Sequence, residues 1–329
     1  MSYPLRDDIY SNDVPEEPIR AGFGRGLVKA GESNESVVAL CADLTESTQM
    51  HLFRDKFPER FVEVGIAEQN LVTVASGMAR AGKIPFTSSY AAFSPGRNWE
   101  QIRTTATLND QPVKVVGSHA GVSVGPDGAT HQMLEDIALM RVLPNMVVIA
   151  PGDSVEAEKA TRAIAENGKP SYLRLAREKT PIFSTEDSPF EIGKAYVLRE
   201  GSDVSLFGTG TMTYQLLLAA KYLEQKGINA EVVHFPTIKP LDKETLLASA
   251  RKTGRVVTAE EAQAAGGFGS SVSEFLSSVL PMPVKRIGIY DRFGESGSPA
   301  ELLEYFGLTG DKIAEDVARF TDEMPRYHQ

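Results

Sequence analysis

An α/β protein built as two consecutive parallel-sheet α/β domains is what this sequence predicts, and three observations carry that expectation. Short apolar runs alternate with stretches whose apolar residues recur at helical spacing, and the alternation occurs twice along the chain. Between the two series, residues 178–191 are rich in proline, serine, threonine and acidic side chains and read as a linker. The 329 residues, 42% hydrophobic and 24% charged, have ordinary globular composition and suffice for about two domains. The expected boundaries are 1–185 and 186–329.

Taken in order, a polar, proline-bearing arm leads into a helical pattern at 18–31, with Arg20 in its first turn. Residues 35–44 read as a strand that ends in Asp43-Leu44-Thr45-Glu46-Ser47. Open α/β sheets place their chemistry at such polar strand ends, although a capped turn explains the pattern too. Residues 61–64 read as a buried strand, Gly65 breaks it, and Leu71, Val74, Ala75, Met78 and Ala79 then fall at helical spacing. Glu68 therefore sits where a strand turns into a helix. A helix start favours a carboxylate by roughly 0.3–1 kcal/mol, so a purely structural role is open to it.

Residues 84–89 form the next strand, followed by Tyr90 and Phe93, a helical stretch at 99–108 and a strand at 113–117. The densest stretch of the chain comes next. Gly117, Gly121, Gly125 and Gly128 punctuate a loop that also holds His119, Pro126, Asp127 and His131. Long loops of this kind in compact domains usually carry function. The two histidines can converge on one pocket, serve as metal ligands short of a third at metal-like spacing, or be satisfied locally. Strands at 146–150 and 172–175 around a helix at 154–166 complete the first domain.

The second series has strands at 204–207, 230–234, 255–259 and 284–289, helices at 214–225, 243–251 and 270–279, and an amphipathic helical tail. Gly208-Thr209-Gly210 lacks the third glycine of a dinucleotide fingerprint and reads as a tight turn. Gly266-Gly267-Phe268-Gly269-Ser270 opens a helix whose free amides could hold an anion.

Composition excludes several function classes. A net charge of −10 argues against a nucleic-acid binder, which needs a concentrated basic face. No apolar run approaches the ~20 residues of a membrane span, and the N-terminus lacks the apolar core of a signal peptide, so a cytoplasmic protein is expected. The single cysteine, Cys41, lies in an apolar run and reads as a buried strand residue, which leaves no disulfide or cysteine–zinc site.

Several motifs together resemble the transketolase family of thiamine-diphosphate enzymes: Asp43 to Ser47, Gly65-Ile66-Ala67-Glu68-Gln69, the Tyr90/Phe93 pair, and His119 followed by Asp127-Gly128-Ala129-Thr130-His131-Gln132. Tyr290-Asp291-Arg292-Phe293-Gly294-Glu295-Ser296-Gly297 extends the likeness to the second half. The resemblance implies a pyrimidine-binding domain followed by a transketolase C-terminal domain. The family's Gly-Asp-Gly metal motif is absent from this sequence. The chain is therefore expected to be the C-terminal half of a split transketolase, paired with a companion N-terminal subunit in a heterotetramer of two plus two chains. The companion is expected to bring the ligands for Mg2+ and the diphosphate.

The resemblance also assigns roles. Glu68 is expected to hydrogen-bond the pyrimidine ring nitrogen of thiamine diphosphate, which requires a proton on or shared with the carboxyl group and hence strong desolvation. Tyr90 and Phe93 match residues flanking the aminopyrimidine, where stacking contributes ~0.5–1.5 kcal/mol beyond area burial. A third aromatic of the family is missing, with Gly96 and Arg97 in its region. Asp43 matches a residue near the cofactor at the subunit contact. His131 and Asp127 match groups that touch the ketose hydroxyls and carbonyl, with His131 as a proton carrier. Arg20, Ser47, His119 and Arg177 match the contacts to the substrate's phosphate, for which the guanidinium fork is suited. The implied activity is transfer of a two-carbon ketol unit from a ketose phosphate to an aldose phosphate. A deoxyxylulose-phosphate synthase, a keto-acid dehydrogenase β subunit and a non-catalytic paralogue are the alternatives.

Overall fold

A computed structural model describes residues 3–327. Its first sheet has seven strands in the order Thr237–Lys239, Val147–Ile149, Ser171–Arg174, Lys114–Ser118, Ile84–Tyr90, Val37–Cys41 and Phe61–Glu63. All neighbours run parallel except Thr237–Lys239, which is antiparallel to Val147–Ile149. Helices cover both faces, which is why the central strands read as unbroken apolar runs rather than alternating ones. Every residue of Val37–Cys41 and Lys114–Ser118 is buried, Cys41 included. On one face Ile19–Ser33 and Ser154–Glu166 lie against each other so closely that a Cβ on Gly22 would fall 1.8 Å from the Ser154 carbonyl oxygen. On the other face Glu68–Arg80 shares a core with the second half of the chain, including Phe207, Val233, Phe235 and Ile238.

The second sheet orders Val284–Ile289, Val256–Gln263, Val204–Gly208, Ala230–His234 and Tyr196–Arg199, with only the last antiparallel. The two halves are tied by buried polar contacts. His234 Nε2 lies 2.7 Å from Glu156 Oε2, and Arg174 donates both to Asp136 and to the Glu261 carbonyl.

Several expectations change. Phe61–Glu63 is an edge strand, half-buried to exposed, because among the described residues no strand pairs beyond it. The linker-like stretch contains Lys179–Pro181, paired antiparallel with Glu16–Pro18. Tyr196–Arg199 and Thr237–Lys239 carry no strand signal strong enough to read from their sequence, and the second of them joins the sheet of the first half. The helix at 99–108 is a single α turn that widens into a π-helix over Ile102–Thr107. At the glycine-rich helix start the amides are already taken: Phe268 N and Gly269 N donate to the Glu260 carboxylate at 2.6 and 2.8 Å. Burial pushes Glu260 up to about 7 despite those bonds. Among the described residues no helix is long and apolar enough to cross a membrane.

Candidate active site

The carboxyl ends of the parallel strands gather the loops that carry the candidate residues, as the topology of open sheets requires. Ile84–Tyr90 delivers Tyr90, and one further turn delivers Phe93, with ring centroids 5.9 Å apart. Lys114–Ser118 delivers His119, whose ring stacks on Tyr90 at 3.8 Å. His131 closes the group, edge-on to Phe93 at 5.4 Å and to Tyr90 at 6.1 Å. The histidine loop thus folds back so that both imidazoles meet one aromatic pair. Among the described residues no three histidine, cysteine or carboxylate side chains stand close enough to share a metal ion.

His119 is buried, sits at φ 58°, and has Nδ1 2.9 Å from Ser118 Oγ. Burial, then the charges of Arg20 and Arg177 and the neighbouring His131, push its pKa down to about 3. It is therefore a neutral imidazole between two guanidiniums. The unfolded chain takes up this proton at about 6.5 and the folded chain only near 3, so His119 lowers stability progressively as pH falls through that window. In a chain labelled with [13C]histidine, the His119 ring resonance should stay flat as pH is lowered from 8 to 5, a range chosen to lie above that value. A midpoint near 6.5 would show the ring to be solvated.

Arg20 and Arg177 adjoin each other: an Arg20 guanidinium nitrogen donates to the Arg177 carbonyl. The Nε of Arg20 is buried without a partner, and burial lowers its pKa. Arg177 donates to the Val124 carbonyl at 2.5 Å, with Asp127 at 3.7 Å and Glu178 at 3.4 Å. Asp127, His119, His131, Arg20 and Arg177 are accordingly one cluster. Ser47 lies half-buried in the neighbouring loop, and among the described residues no hydrogen bond joins it to them.

Glu68 opens the helix Glu68–Arg80 and is only 3% exposed. Its backbone carbonyl accepts from Asn98 Nδ2 at 2.8 Å, and its carboxylate accepts from Arg97 at 2.9 Å. The same guanidinium lies 5.0 Å from the centroid of Phe93, so Arg97 links Glu68 to the aromatic pair. Asp43 is exposed at φ 58° and donates its amide to Glu63 Oε1 at 2.8 Å. Gly65 N and Thr45 Oγ1 bond the same carboxylate at 2.9 and 3.0 Å. Glu63 thereby fastens the Asp43 loop to the turn that presents Glu68, a role the sequence reading did not assign.

A second support was not legible at all. Ser123 N donates to Glu261 Oε1 at 2.6 Å across 138 residues, and Gln132 Nε2 donates to the Glu295 carbonyl at 2.8 Å. Gly121, at φ 92°, passes so near that a Cβ would meet Glu261 Oε1 at 2.4 Å. The second half of the chain braces the histidine loop from beneath.

Family models place this arrangement. A model described as transketolase, pyrimidine binding domain, matches residues 17–182, and one described as transketolase, C-terminal domain, matches residues 193–313. The chain belongs to the transketolase family. It is 44% identical to a putative transketolase C-terminal section of Methanocaldococcus jannaschii, over 94% of this chain and 96% of that one. It is 40% identical to a 6-deoxy-6-sulfo-D-fructose transketolase subunit of Clostridium sp., over 90% of this chain and 92% of that one. A solved split-gene transketolase, described as an inactive β4 tetramer, superposes with a TM-score of 0.87 at 45% identity, over 93% of this chain and 98% of that one. The chain thus corresponds to the C-terminal section of a transketolase.

Proposed function

We propose that this chain is the pyrimidine-side subunit of a two-chain transketolase, moving a two-carbon ketol unit from a ketose phosphate to an aldose phosphate with a companion subunit and thiamine diphosphate. The observation that carries the reading is a buried carboxylate, Glu68, joined through Arg97 to the Tyr90/Phe93 pair, with an anion-seeking cluster of Arg20, His119 and Arg177 on the Tyr90 side. A desolvated carboxyl group next to a flat apolar surface fits an aminopyrimidine, which presents a ring nitrogen and an aromatic face.

Thiamine diphosphate, when bound, supplies the nucleophilic carbon and the electron sink that a side chain lacks. The protein's part is placement and proton handling. Glu68 would hold a proton at the pyrimidine ring nitrogen, and Phe93 and Tyr90 would fix the ring plane. His131, hydrogen-bonded through Nδ1 to Thr130 Oγ1 at 2.9 Å, would pass protons at the substrate's carbonyl and hydroxyl oxygens, with Asp127 beside it. Arg20, Arg177 and neutral His119 would hold the phosphate, with Ser47 added from the adjacent loop. Asp43, on the exposed loop that Glu63 anchors, would face the companion subunit. That companion would bring Mg2+ and its ligands, and the assembly proposed is a symmetric complex of two plus two chains.

The name of the Clostridium relative favours one variant of this reading, in which the anionic end is a sulfonate rather than a phosphate. Side-by-side assays with both classes of ketose separate the two. Assembly tests the two-subunit reading. Supplied with thiamine diphosphate, magnesium, a ketose phosphate donor and an aldose phosphate acceptor, the purified chain alone should give no turnover, and adding a companion that bears the Gly-Asp-Gly motif should restore it. Turnover by the isolated chain would overturn the two-subunit reading.

A further inference from the structure

We infer that Arg97 sets the affinity of the pyrimidine pocket: its guanidinium occupies the space between Glu68 and Phe93 and has to leave when an aminopyrimidine enters. The inference rests on the Glu68 assignment made above and deepens it.

Arg97 touches both surfaces the ring needs. It donates to Glu68 Oε2 at 2.9 Å and lies 5.0 Å from the Phe93 centroid. The pair is lopsided, since the Arg97 side chain is 52% exposed while Glu68 is 3% exposed. A buried carboxylate without a partner is costly, and Arg97 supplies that partner. The cation itself stays half in water, so its release returns the guanidinium to solvent and leaves Glu68 to the incoming ring. Glu68, by contrast, is fixed, because Asn98 Nδ2 holds its backbone carbonyl and also bonds Ser94 Oγ at 3.1 Å.

The loop explains why an arginine stands here. A Cβ at Gly96 would fall 2.1 Å from the Ala92 carbonyl oxygen, so this turn admits no side chain at that position. Arg97 is the next residue whose side chain can reach the pocket, and its amide closes the turn onto the Phe93 carbonyl at 2.9 Å. A neutral ring nitrogen that shares a proton with Glu68 and a guanidinium that ion-pairs with it compete for the same carboxyl group. Binding of the ring therefore includes the work of releasing Arg97, and ions that screen the pair reduce that work.

The neutral probe 4-amino-5-hydroxymethyl-2-methylpyrimidine tests this in the full chain without the companion, because this chain supplies the pyrimidine side. It carries no charge, so removing Arg97 changes no repulsion with the ligand. Titration by ligand-observed NMR should show Arg97→Ala binding roughly fivefold tighter than wild type at low salt, the scale of one half-exposed ion pair. Wild-type affinity should rise with added NaCl and that of Arg97→Ala should not. Arg97→Gln, which keeps bulk without charge, should lose the salt dependence as well. Equal or weaker binding by Arg97→Ala, with Glu68→Ala abolishing binding, overturns the role of Arg97 and leaves the pocket where it is. Binding that Glu68→Ala leaves untouched overturns the Glu68 assignment itself.

Discussion

Arg177→Ala, assayed in the assembled enzyme, should raise KM for a sugar phosphate roughly 10–100-fold, since a hydrogen bond to a charged group contributes about 1.5–3 kcal/mol. The donor hydroxypyruvate, which has no phosphate, should lose no more than a few-fold. The contrast matters because Arg177 has a second contact, the Val124 carbonyl at 2.5 Å, in the histidine loop. Were the arginine only a strut for that loop, its loss would misplace His119 and Asp127 for every donor alike. Equal damage to both donors therefore removes the anion assignment and leaves Arg177 as a brace. Neutral His119 sharpens the expectation, because with its charge absent the two guanidiniums carry the electrostatic attraction.

The parts of this fold that were legible in the sequence are those that local physics decides. Glu68 falls at the first helical residue because Gly65, at φ 72°, ends the strand and the apolar period starts soon after. The buried parallel strands announce themselves as apolar runs because both faces are covered. Edge positions are another matter. Phe61–Glu63 reads from its sequence as a buried strand, and only the strand order reveals that it ends the sheet among the described residues. Thr237–Lys239 belongs to the first sheet through pairing with Val147–Ile149, a tertiary choice with no local mark.

The site shows the same division. The histidines stood out by the glycine-rich loop that carries them, and the aromatic pair and the arginines could be named only through the resemblance to the transketolase family. Their supports could not, since Glu261 and Glu295 act on a loop far away in the chain. Gly121 and Gly125 hint at close approach, yet a glycine does not say what approaches it. Arg97 was visible only as an aromatic that is missing, and its contact with Glu68 depends on the tight turn at Gly96.

Glu68→Gln tests the centre of this account most directly. The substitution keeps shape and volume but removes the exchangeable carboxyl proton, and with it the charge that pairs with Arg97. If Glu68 merely complements the helix start, its charge contributes roughly 0.3–1 kcal/mol to stability and its loss leaves chemistry intact. If it partners the pyrimidine nitrogen, deuterium exchange at the thiazolium carbon, followed in the assembled complex with thiamine diphosphate saturating, should slow by orders of magnitude. Saturation separates this step from cofactor affinity, which the loss of the Arg97 pair also alters. The account predicts slowing of at least about a hundredfold, equivalent to roughly 2.7 kcal/mol in the barrier. An exchange rate within a few-fold of wild type would contradict it and make Glu68 a structural residue.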